Sequence, residues 1–186
     1  MTKIKSLQIL AVSASTLFIS LFSGCATQPL TLNYSPSSTL TAEGSIAVSS
    51  FTYSAANGGK IKSNQIRNTA IGNAYFEKDI AKAFEEAVFK ELRFVGVRLD
   101  SSKIELTGDV EEFLMDDLGY SVDWTLRVKY RVKEKAGGAV VYEATKAIKK
   151  KTEKFGNLFG IINEIIKMNI EELIKDDKFK NLIKGA

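Results

Sequence analysis

From Tyr120 to Val132 the chain alternates without a break. Tyr120, Val122, Trp124, Leu126, Val128, Tyr130 and Val132 are apolar, and Ser121, Asp123, Thr125, Arg127, Lys129 and Arg131 between them are polar. Successive side chains of a strand point to opposite faces, so this pattern predicts a long strand with one buried and one wet face. A sheet covered on one side only favours antiparallel pairing. The neighbouring sequence supplies partners. Between Lys103 and Met115, the residues Ile104, Leu106 and Val110 alternate until the phase slips at Phe113. The run Lys135-Ala136-Gly137-Gly138 predicts a tight hairpin leading into a further strand over residues 139–150. Upstream, Ile46 and Val48 share a face before the phase changes at Ser50, ahead of Phe51 and Tyr53, which predicts a strand with a bulge.

Two segments carry a helical period instead. Phe76, Ile80, Ala83, Phe84, Ala87, Val88 and Leu92 recur at three- and four-residue spacings, with Asn73 as a candidate cap and Gly96 as a terminator. Leu158, Ile162, Ile165, Ile166, Asn169 and Leu173 define a second apolar face, widened by Ile161, Ile170 and Ile174, with a break expected near Asp176. Residues 54–73 read as a long polar loop. The order is strand, helix, three strands, helix. The expectation is one α+β domain over residues 45–186, an antiparallel sheet of about four strands with two helices on one face.

The composition narrows the chemistry. The 186 residues contain no histidine and one cysteine, so no Ser/His or Cys/His pair can form, and zinc sites lose their usual ligands. No enzymatic activity, cofactor or metal is expected. Asp109, Glu111, Glu112, Asp116 and Asp117 crowd one stretch, and Asp109 and Glu111 could share a strand face as an acid–base pair. Without a recognisable cleft they read as the wet side of the sheet. Asn57-Gly58-Gly59-Lys60 lacks the spacing of a phosphate loop and reads as a turn. The net charge of +4 is too weak for a nucleic-acid footprint, so no nucleic-acid partner is expected.

The single cysteine lies directly behind the longest apolar run. Residues 1–24 begin Met-Thr-Lys-Ile-Lys, continue uncharged from Ser6 to Phe22, and end Ser23-Gly24 before Cys25. A basic start, an apolar middle and small residues before a break describe a signal peptide, and the run falls short of the ~20 residues of a membrane-spanning helix. Ser23-Gly24-Cys25 resembles a bacterial lipobox, with Phe22 where the pattern prefers Leu. The resemblance implies cleavage between Gly24 and Cys25 and acylation of Cys25, which would then become the mature N-terminus. Ala26, in place of an Asp, implies retention at the outer membrane on its periplasmic side. Residues 25–44 contain both prolines, Pro29 and Pro36, and many Ser and Thr, and read as a flexible tether.

The "FSGC" signature, the Pro/Ser spacer, the order of elements and the ending "NIEELIKDDKFKNLIKGA" together resemble the YajG-like family of small bacterial envelope lipoproteins. The LPS-assembly lipoprotein LptE and auxiliary lipoproteins of envelope transporters share a similar layout. The family has no established activity, so the resemblance implies a fold and a location. The expected role is that of a non-enzymatic outer-membrane lipoprotein, an accessory or structural component acting through protein or lipid contacts. The alternative is a lipid- or glycolipid-binding module of a transport or assembly system, with an apolar groove between sheet and helices. Lys146, Lys149, Lys150, Lys151 and Lys154 lie where the last strand gives way to the final helix. They read either as a contact for anionic head groups or as a solvated strand end that guards the sheet edge. The expected partners are the membrane, through Cys25, and an unidentified envelope protein or lipid, which the open polar face of the 120–132 strand could receive.

Overall fold

The structure is a computed structural model that describes residues 29–69 and 75–186. Gly24, Cys25 and Asn73 lie outside the described residues. The elements in chain order are β1 (Ala47–Thr52), a 3-10 turn (Ser54–Ala56), β2 (Arg67–Asn68), α1 (Ile80–Phe94), β3 (Ile104–Asp116), β4 (Ser121–Glu134), β5 (Val140–Glu153), α2 (Leu158–Lys175) and α3 (Asp177–Lys184).

Strands β3, β4 and β5 form an antiparallel meander with β4 in the middle, bonded along its length on both sides. Its apolar set, Val122, Trp124, Leu126, Val128, Tyr130 and Val132, is buried. The phase slip before Phe113 is a β-bulge: β3 spends one extra residue, Glu111, between Val110↔Val128 and Glu112↔Arg127. The slip near Ser50 is a second bulge, between Val48 and Phe51 of β1. The 135–138 segment turns β4 into β5, with Glu134 and Ala139 bonded across it.

The sheet departs from the expected all-antiparallel form. It is mixed and has five strands, because β1 and β2 both run parallel to β3. Helix α1 intervenes between β1 and β3, and a strand that returns through a crossover helix pairs parallel. With β4 filling the other edge of β3, β1 and β2 lie end to end along the remaining one. The residues expected to form only a loop before the first helix thus contribute a short strand.

Helix α1 packs over β1 and β3, α2 over β4 and β5, and the helices touch each other, so the core lies between one sheet face and this helical layer. Helix α1 begins at Ile80 rather than near Ala74, since Phe76 forms a parallel bridge with Leu30 and Asp79 is extended. Its end is a Schellman turn: Gly96 has φ of 103°, Gly96 N–H bonds Arg93 O and Val97 N–H bonds Leu92 O. The break near Asp176 is an N-cap, the Asp176 carboxylate accepting from the N–H groups of Lys178 and Phe179.

Part of the expected tether is fastened to the body. Residues 29–44 form a strap bonded to both α1 and α2. Leu30 N–H bonds Tyr75 O, Ser35 exchanges two hydrogen bonds with the Asn163 amide, and Ala42 N–H bonds Val95 O. Tyr34 is buried and its hydroxyl donates to Glu91, a fully buried carboxyl on the core face of α1 that also accepts from Ser38 N–H at 2.7 Å. Ser38 Oγ donates in turn to Glu171 of α2 at 2.7 Å. A buried carboxyl must be met by donors, and the strap supplies them.

Tyr34→Phe keeps the ring but removes a donor from buried Glu91, and should lower stability by about 1–3 kcal/mol in denaturant unfolding. Gly108 faces the core opposite Tyr130, under the ring of Phe51, and a Cβ there would lie 2.1 Å from that ring. Gly108→Ala should therefore cost about 1–3 kcal/mol, read as a lowered urea midpoint with unchanged slope.

Candidate functional site

Of the five lysines singled out from the sequence, Lys146, Lys149, Lys150 and Lys151 lie within β5, which runs on to Glu153, and Lys154 follows it directly. They therefore alternate between faces. Lys146, Lys150 and Lys154 point to the helix side. Lys146 Nζ lies 2.7 Å from Asp176 Oδ2, Lys150 Nζ lies 2.6 Å from Glu164 Oε1, and Lys154 Nζ donates to the carbonyls of Asp117 and Gly119 at 2.9 and 3.1 Å. Lys149 and Lys151 point to the open face, where Lys151 stands 3.6 Å from an equally exposed Asp123. The structure does not bring the five together. Three tie β5 to the helical layer and to the β3–β4 turn, and two remain on the wet face.

The Lys146 contact is the most enclosed of these. Asp176 accepts from Lys146 and from the Tyr142 hydroxyl at 2.9 Å, and its side chain is 19% exposed. Burial alone would raise the Asp176 pKa, but the bonds from Lys146, Tyr142 and Phe179 N–H outweigh it and hold the value at about 2. Burial and the bond to Asp176 push the Tyr142 hydroxyl upward. Nearby, Tyr130 donates to Asn169 Oδ1 at 2.8 Å inside the core, while Asn169 Nδ2 donates to Lys146 O.

The open face of the sheet bears the polar alternates of β4 as expected, and their charges are matched. The bulge residue Glu111 meets Arg127 at 3.2 Å and Lys129 at 3.1 Å, Glu112 meets Arg127 at 3.5 Å and Arg67 at 3.4 Å, and Glu143 meets Arg131. Asp109 does not pair with Glu111: it accepts from Ser54 N–H at 2.9 Å. Thr69 Oγ1 donates to Asp116 at 2.7 Å. Asn57 and Gly59 sit in consecutive turns after the 3-10 segment and open no helix, so the expected turn is found there.

A different group of residues converges at the end of the sheet where β3 turns into β4 and β5 runs into α2. Lys154 binds these two loops together through the carbonyls named above. Between them, under the first turn of α2, lies an apolar cavity of about 140 Å³ lined by Met115, Val122, Trp124, Leu158 and Ile161. Beside it in the chain stand exposed large apolar side chains: Tyr120 is 103% exposed, Phe155 97%, Leu118 72% and Phe159 42%. Phe76, which bridges Leu30, lines a small void behind the cavity with Met115, Trp124 and Leu158. The first described residues of the chain therefore lie at this same end. At the opposite end, a groove of about 570 Å³ lined by Lys103, Ile104, Glu134, Ala136, Asn181 and Leu182 lies open to solvent.

Two features of this arrangement were not read from the sequence. Glu91 follows Ala87 and Val88 at helical spacing, so an acid on the apolar stripe was visible there without its meaning. Phe155 and Leu118 fall in short loops between strong periodic segments, where periodicity says nothing of exposure. Only their size and their hydropathy in a turn could have marked them.

No family model matches the chain, and no curated protein matches it in sequence. Among solved structures it is similar to protein XCC0632 from Xanthomonas campestris, described under the family DUF330, at a TM-score of 0.63 and 12% identity, covering 84% of this chain and 95% of that one. It is also similar to protein CT253 from Chlamydia trachomatis, at a TM-score of 0.53 and 9% identity over 75% of this chain and 98% of that one. A minor lipoprotein from Acinetobacter baumannii follows at 0.36 and 11% identity, covering 73% and 96%. At such identities the first two establish a shared fold, and the third bears no weight.

The Asp176 knot generates a pH dependence. A carboxylate whose folded pKa of about 2 lies below its unfolded value of about 3.9 contributes stability above pH ~4 and loses it as pH falls toward 2. Asp176→Asn should lower stability at pH 7 by on the order of 1–2 kcal/mol, and the gap to the parent should narrow between pH 4 and 2 in thermal melts. A constant gap across that window would show that the charge of Asp176 is not the source of the effect.

Proposed function

We propose that the protein is an outer-membrane lipoprotein of the YajG-like kind, moored through acyl chains on Cys25, whose domain acts as a non-enzymatic accessory of the envelope through contact with another protein. The observation that carries this reading is Ser23-Gly24-Cys25, the only cysteine, behind a charge-free run of 17 residues. One acyl chain holds a protein to a bilayer only marginally, and several hold it firmly, so a multiply acylated residue suffices as an anchor. The fold shared with XCC0632 and CT253 is compatible with such a body and supplies no activity of its own.

The chemistry of the domain supports contact over catalysis. Its clustered carboxylates are engaged with cations or with backbone and hydroxyl donors, and no histidine is present to move protons. A ligand-carrying role finds less support. Sites for ligands of drug size run to about 300–1,000 Å³ and enclose most of the ligand, whereas the apolar cavity at the sheet end measures about 140 Å³ and the groove of about 570 Å³ at the other end is open to solvent. The broad face of β3, β4 and β5, laced with paired charges of both signs, suits a protein partner of matching pattern.

Growth with radiolabelled palmitate should label the protein, and Cys25→Ala should abolish both the label and its recovery with outer membranes while leaving the domain folded by circular dichroism. Recovery of the unlabelled variant wholly in that fraction would remove acylation as the anchor.

A further inference from the structure

A chain moored at Cys25 has little freedom over which end of its body meets the bilayer. Leu30 is bonded to Tyr75 and bridged to Phe76, and it lies only five chain steps beyond Cys25. At about 3.3–3.6 Å per residue they reach at most ~18 Å. β4, of 14 residues, spans about 45 Å at about 3.4 Å per residue, so the body cannot stand on the β4–β5 hairpin at its far end, which would lift Leu30 beyond the reach of the tether. The end nearest the mooring is the one where Leu118, Tyr120, Phe155 and Phe159 stand exposed.

We infer that these four side chains enter the bilayer interface, so that the domain is seated on lipid directly as well as tethered to it. The inference rests on the acylation reading. The occupant is a lipid surface because the groups are large and apolar and two of them, Tyr120 and Phe155, project almost wholly from the body, Tyr120 carrying the amphipathic ring that favours the head-group level. Electrostatics does not supply the attraction. The charged groups beside the tips are Asp116, Asp117 and Glu153 against Lys154, and the Lys154 ammonium is already bonded to two carbonyls. The seat therefore requires no anionic lipid. Lys154 has a positioning role instead, holding the β3–β4 and β5–α2 loops at a common level so that Tyr120 and Phe155 project side by side.

The test places a single fluorophore on the full acylated chain at Phe155→Cys, at Tyr120→Cys, or at Ala136→Cys in the far hairpin, Cys25 being blocked by its acyl chains. Each is reconstituted in vesicles of phosphatidylcholine, with or without phosphatidylglycerol, containing doxyl-lipid quenchers. Labels at 155 and 120 should be quenched at a depth within about 10 Å of the head-group boundary, equally in both compositions, and the label at 136 should not. Equal quenching at 155 and 136 would overturn the inference, as would quenching that demands phosphatidylglycerol. Mass analysis of Cys25 on the same samples separates the two readings. Acylation without quenching at 155 leaves the anchor and sinks the seat, and an unmodified thiol sinks the anchor reading and the seat with it.

Discussion

The structure turns on the one-sidedness of β4. Because its partners on both edges are in register with it, the two-residue period of this strand propagates sideways, and every residue of β3 and β5 inherits a face from its neighbour. The helical layer can then cover only the side bearing Val122 to Val132. A shift of one residue in any of these pairings would place charged side chains against α1 and α2, so register and core are a single constraint. Where β3 must depart from it, the bulge at Glu111 absorbs the extra residue and returns Phe113 to the core.

What was legible follows from that periodicity. The meander, both bulges, the 135–138 turn, the Gly96 terminator and the break at Asp176 all leave local marks, since each is set by residues within a few positions of one another. What was not legible depends on contacts distant in sequence. β1 alternates like an antiparallel strand, and nothing in residues 45–53 says that its neighbour is β3 reached through α1. β2 has two residues and no pattern to show. The five lysines look like one patch on paper because charge was counted along the chain, whereas a strand deals consecutive residues to opposite sides.

The same distance effect hid the strap. Its Ser, Thr and Pro content speaks for an extended segment, which it is, but extended backbone is also what lies well across a pair of helices when donors and acceptors meet it. Glu91 and Glu171 on α1 and α2 provide acceptors, and Asn163 provides both. These polar groups, out of place on helix faces that otherwise read as apolar or solvated, acquire a purpose once residues 34–38 lie over them. The price of a buried acid in α1 is thus met by chain from outside the nominal domain.

Fastening the strap at Leu30 and Tyr34 also changes the mechanical length of the connection to the proposed anchor. A free run from Cys25 to Gly44 would let the body swing through a hemisphere several nanometres in radius, sampling partners at many heights. Pinned at Leu30, the connection to that proposed anchor is a short leash, which keeps the end of the sheet beside the β3–β4 turn close to the lipid. Under that mooring, whatever meets this end of the body meets it within the layer next to the membrane.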